Sequence, residues 1–106
     1  MITTHIKNGM ILEVYNNDYT EYFDAVLYGE VTNDETLRFD VGFRLISSPI
    51  TETNENITVF YTKSHSRYEL DNSADTLKIT AHEWLLMREQ LISPDELIAL
   101  RIINLG

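Results

Sequence analysis

The densest group of side chains able to move protons or hold an anion is Lys63, His65, Arg67, Tyr68 and Glu69. An imidazole and a carboxylate can serve as base and acid while lysine or arginine stabilises a phosphate, which is the chemistry of a small metal-independent RNase. The competing reading is a solvated turn at a strand end, since no second segment of the sequence converges on the group. Other routes to chemistry fail on spacing. His5, His65 and His82 fall in no HExxH, HxH or EF-hand pattern, and the absence of cysteine removes thiolate zinc sites and thiol nucleophiles. Gly9, Gly29, Gly42 and Gly106 begin no GxGxxG or GxxxxGK[ST] loop. Ser47, Ser48, Ser64, Ser66 and Ser73 sit in turn-like contexts, outside GxSxG or SxxK. The expectation is a protein that is not an enzyme, with no catalytic residues, metal or cofactor.

Charge is the stronger signal. Eight Lys and Arg residues against 17 Asp and Glu give a formal net charge of −9. Between Asn8 and Leu37 there is no basic residue, while Glu13, Asp18, Glu21, Asp24, Glu30, Asp34 and Glu35 are acidic and Tyr15, Tyr19, Tyr22 and Tyr28 are interleaved with them. Such a field repels nucleic acid and anionic membranes and steers basic partners inward. Tyrosine adds rigid amphipathic contact area, and carboxylates pair bidentately with arginine. The candidate partner-binding set is therefore Asp18, Tyr19, Glu21, Tyr22, Asp24, Tyr28, Glu30, Asp34 and Glu35. The bland alternative is a solvated sheet face whose tyrosines cover the core.

The elements that must position these residues are readable from period and turn chemistry. The 106 residues, 43% hydrophobic, suit one domain spanning residues 1–106. Residues 2–7 and 10–15 read as a hairpin around Asn8-Gly9, a pair suited to a type I′ turn. Residues 23–31 alternate as a strand, although Tyr19, Tyr22, Phe23 and Val26 also fit helical spacing, so both readings stand for residues 18–28. Leu37, Phe39, Val41, Phe43 and Leu45 alternate with polar residues and predict the clearest strand of the chain. Residues 57–62, 67–70 and 76–80 extend an antiparallel meander. Thr80 with Glu83, then Ser93 with Pro94 and Glu96, signal two helix starts, giving helices over 81–92 and 94–103. The expected architecture is α+β: five or six antiparallel strands covered by two C-terminal helices.

Residues 77–84, followed by Arg88, Glu89, Gln90 and Leu91, resemble the last strand and helix of PC4-like single-stranded DNA-binding proteins over about a fifth of the chain. The resemblance implies a nucleic-acid-binding homodimer. The shortage of lysine and arginine departs from the basic groove with stacking aromatics that such proteins use.

Three functional expectations follow. The leading one is an acidic inhibitor that occupies the basic working surface of a nucleic-acid-handling protein, as an immunity protein does with a nuclease toxin or a DNA-mimicking anti-CRISPR protein does with a defence nuclease. The match is one of size and charge. The second is the RNase-like enzyme using His65. The third is a homodimer formed through a sheet edge or the apolar tail of Ile102, Ile103 and Leu105. Without cysteine, basic-apolar leader or long apolar run, the chain is expected in the cytoplasm, with no direct contact to nucleic acid or membrane.

Overall fold

The structure, a computed structural model, describes residues 2–105, with side chains described as far as Ile103. Its spine is a long two-stranded ribbon, β1 (Thr4–Tyr15) against β2 (Tyr22–Asp34), paired antiparallel from Thr4↔Asp34 to Tyr15↔Tyr22. The hairpin expected at Asn8-Gly9 is absent. Residues 2–15 do not fold back on themselves, and from Thr4 onward they run as one strand in which Lys7 pairs with Glu30 and Met10 with Tyr28. One residue more on β1 than on β2 makes a bulge. Asn8 does adopt positive φ, at 53°, but the chain continues forward because both halves of β1 find β2 as their neighbour. Gly9 leaves room for Leu70 there: a Cβ would stand 1.9 Å from its Cδ2 and would force that side chain to move.

The bulge shifts the phase of the pleat. Ile6 and Ile11, five residues apart, both face one core, whereas Leu12 and Val14 face another. The first core is enclosed by β3 (Arg44–Ile46), β4 (Ile50–Thr53), β5 (Val59–Thr62) and β6 (Arg67–Leu70). The strands run β3-β2-β1-β6-β5-β4, so β3 and β4 stand at opposite ends of the order, yet only residues 47–49 separate them. That segment bonds to both sides: Ser47 N donates to Leu27 O at 2.9 Å, and Lys63 N donates to Pro49 O at 3.0 Å. The sheet therefore curls around Ile6, Leu27, Val31, Leu45, Phe60 and Tyr68.

The second core lies on the other face of the ribbon. β7 (Asp75–Thr80) runs parallel to the second half of β1, while β6 runs parallel to its first half. The sheet is thus mixed and mostly antiparallel, and the expected meander is corrected: β6 and β7 both pair with β1, one beyond the other, not with each other. Two helices follow, α1 (Ala81–Gln90) and α2 (Pro94–Leu105). Thr80 and Glu83 form a reciprocal capping box, and Ser93 and Glu96 exchange the same two bonds at 3.1 and 3.2 Å. Met87 and Leu97 press onto Leu12, Val14, Val26 and Ile79, each worth about 1.5–3 kcal/mol for full burial. Leu91 ends α1 at φ 53°. Leu91 is consequently exposed.

The strand expected over residues 37–45 is corrected. Only Arg44–Ile46 is strand, and the preceding residues form a loop gathered on the Asp34 carboxylate, which accepts from the amides of Thr36, Arg38 and Phe39 and from the hydroxyls of Thr4 and Thr36. The alternation there belongs to a loop, so Leu37 is 91% exposed. For β2 the strand reading holds. Both of its faces are covered at the centre, which leaves Val26, Leu27, Tyr28 and Gly29 all buried.

Candidate protein-binding surface

The far end of the ribbon is a loop, residues 16–21, that folds on its own side chains. Asn16 Oδ1 accepts from the amides of Thr20 and Glu21 at 2.9 and 3.0 Å, and Asp18 Oδ1 accepts from the Thr20 hydroxyl at 2.6 Å. The Thr20 hydroxyl and amide hold the Asp18 carboxyl below its usual range. Tyr15, at the end of β1, collects the neighbouring rings, with Tyr22 edge-on at 5.4 Å and Tyr19 tilted at 6.0 Å between centroids. Tyr19, Tyr22 and Phe23 remain 45%, 50% and 52% exposed. Glu21 is exposed, and Asp24 stands half-buried with Lys63 Nζ at 3.7 Å. Burial, then the charges of Asp24 and Glu13, push the Tyr22 phenol up, so it stays neutral.

This tip is tied to the start of α1. Arg101 grips Glu83 with two bonds, Nε to Oε2 at 2.6 Å and Nη2 to Oε1 at 2.7 Å. Arg101 Nη2 also donates to Lys78 O and to the Tyr19 hydroxyl, which in turn donates to Glu83 at 3.3 Å. Burial opposes the Glu83 charge, but the Arg101 hydrogen bonds and the Thr80 amide hold its carboxyl below the usual range. Thr80 N and Lys78 O are outward-facing groups of β7, so the Glu83–Arg101 pair also closes part of an open strand edge. Between tip and helices lies a groove of about 880 Å³ bordered by Asn17, Tyr19, His82, Leu86, Leu100 and Arg101.

Of the nine residues expected to bind a partner, the structure brings together Asp18, Tyr19, Glu21, Tyr22 and Asp24. Tyr28 is corrected: it is 1% exposed beneath the helices and its hydroxyl has no hydrogen-bond partner among the described residues, so it anchors the core. Burial, then the charge of Glu30, pushes its phenol up to about 12. Asp34 is also corrected, because its buried carboxylate is committed to the loop it gathers. Glu30 accepts from Asn8 at 2.6 Å, and Glu35 meets His5 Nε2 at 2.8 Å, both toward the opposite end of a molecule 44 Å long. Twelve steps of β2 at about 3.3 Å each separate Tyr22 from Asp34 by about 40 Å. The His65 group is dispersed: Tyr68 is inside the curled sheet, Arg67 is bonded to Tyr61, Thr3 and Glu69, and Lys63 and His65 lie in the exposed β5–β6 turn.

Sequence reasoning missed Tyr15 as the organiser of the tip and Arg101 as the partner of Glu83. Tyr15 was legible as one of the interleaved tyrosines. Arg101 sits on a different helix from Glu83, and no local spacing rule connects them. Among the described residues no group of three His, Cys, Asp or Glu side chains could hold a metal ion, and no helix is long and apolar enough to cross a membrane. Comparison with protein-family models, curated proteins and solved structures found no match.

Proposed function

We propose that the protein is an acidic protein-binding inhibitor that neutralises a basic nucleic-acid-handling protein, of the immunity-protein or DNA-mimicking anti-defence kind, working in the cytoplasm. The observation that carries this reading is the ribbon tip, where two exposed tyrosines and a phenylalanine stand among Asp18, Glu21 and Asp24 on a loop pinned by internal hydrogen bonds. A pinned loop loses little entropy on binding, and aromatic rings desolvated at the centre of a carboxylate rim give both affinity and on-rate. The remaining surface carboxylates steer from a distance and are screened by salt.

Affinity capture with tagged protein at low and high salt tests this. The expected capture is a basic nuclease or nucleic-acid-binding protein, with binding weakened by salt and by Tyr22→Ala or Glu21→Lys. Capture indifferent to salt and to both variants would overturn the reading. A second reading, self-association, is favoured by the exposed Ile98, Ile102 and Ile103 of α2; Leu105, the remaining residue of that tail, lies outside the described side chains. A mass that rises with concentration, together with capture of this chain alone, would replace the inhibitor proposal.

A further inference from the structure

A pocket of about 490 Å³ opens between β2, the 46–49 segment and α1. Its walls are mainly apolar, including Val14, Val26, Ile46, Pro49, Ala81 and Trp84. This volume is in the range of small-molecule sites, which combine apolar walls with few polar groups. Two charged residues line it. Asp24 has Lys63 Nζ at 3.7 Å. Arg88 stands one helical turn after Trp84 with its guanidinium 4.9 Å from the indole centroid, and it has no carboxylate partner among the described residues. Of the eight lysines and arginines, Arg44, Lys63, Arg67 and Arg101 hold carboxylates and the other four do not; of those four, Arg88 stands at an apolar mouth. The Trp84 indole N–H is itself buried and has no hydrogen-bond partner among the described residues, so its resonance reports on packing behind the pocket wall.

We propose that this pocket binds a small amphipathic carboxylate, its apolar body on Trp84, Val26 and Ile46 and its carboxylate on Arg88. Guanidinium and carboxylate match in a bidentate hydrogen-bonded pair, which gives the site its preference for an anionic head over a neutral one. The pocket adjoins the tip and shares Phe23 and Asp24 with it, but its ligand and its test do not depend on the inhibitor reading.

Trp84 is the only tryptophan, so its fluorescence reports the pocket directly. Octanoate, octanol and octylamine would be titrated into the intact protein, with the indole N–H resonance followed by NMR in parallel. The expected result is saturable binding of octanoate, about ten-fold tighter than octanol. Arg88→Gln should abolish the difference and Arg88→Lys should restore part of it. Equal or tighter binding of octanol or octylamine, or no saturable change in either signal with octanoate, would overturn the proposal. Arg88 is exposed, so its variants fold; an unchanged far-ultraviolet spectrum checks this.

Discussion

The two ends of the β1–β2 ribbon carry similar sequences of charge and use them in opposite ways. At one end Asp34 lies buried and holds three backbone amides and two hydroxyls, so its charge shapes the loop that follows. At the other, Glu21 is exposed beside exposed aromatic rings while Asn16 and Asp18 fold the loop. A carboxylate whose oxygens are consumed by the chain's own donors is architecture; one left facing water is available to a partner. The accounting of hydrogen bonds, not the density of negative charge, separates the two ends.

The sharpest way to break this comparison is to remove Asp34. Asp34→Ala should destabilise the fold by about 3 kcal/mol, because amides in the following loop lose a charged acceptor. Chemical denaturation measures this. The same carboxylate predicts a pH dependence. Burial opposes its charge, but hydrogen bonds from Thr36, Thr4 and Phe39 hold it well below its ordinary value of 3.8. A folded-state value below the unfolded one means that this stability is present above about pH 4 and is lost as the pH falls further. Asp34→Asn should flatten that acid limb of the stability curve.

A smaller effect is expected at the hinge between tip and helices. Arg101→Ala leaves Glu83 half its partners and frees Tyr19 and Lys78 O, at about 1 kcal/mol in thermal or chemical unfolding. Tyr28→Phe sharpens the distinction between core and surface tyrosines. Removing a buried hydroxyl without a partner should leave stability unchanged or raise it by about 1 kcal/mol, and partner binding should not change. Glu21→Lys at the tip should leave the melting temperature unaltered while slowing association.

The helices were legible because their start signals are local: Thr80 with Glu83 and Ser93 with Glu96 carry the whole cap within four residues. β2 was legible from its alternation. The strand expected from Leu37 to Leu45 was not real because alternation alone cannot distinguish a strand from a loop pinned on Asp34, and the Asp34 carboxylate outcompetes the ladder for the same amides. Asn8-Gly9 announced positive φ correctly, yet whether that makes a turn or a bulge depends on which strand lies alongside, and that is a long-range fact. Tyr28 was misplaced for the same reason. Its strand is covered on both faces, once by the curled sheet and once by helices whose docking no spacing in β2 reveals. Of the expected binding set, Asp18, Tyr19, Glu21, Tyr22 and Asp24 lie together because a loop keeps sequence neighbours close in space.

The most direct test of the account is a side-by-side capture experiment from host lysate with wild-type protein, a tip variant carrying Tyr22→Ala and Glu21→Lys, and an opposite-end variant carrying Glu30→Lys and Glu35→Lys. The account predicts that a basic nucleic-acid-handling protein is captured by the wild type and the opposite-end variant and lost from the tip variant, most clearly at moderate salt where long-range steering is screened. Equal capture by the tip variant, or loss confined to the opposite-end variant, would contradict it.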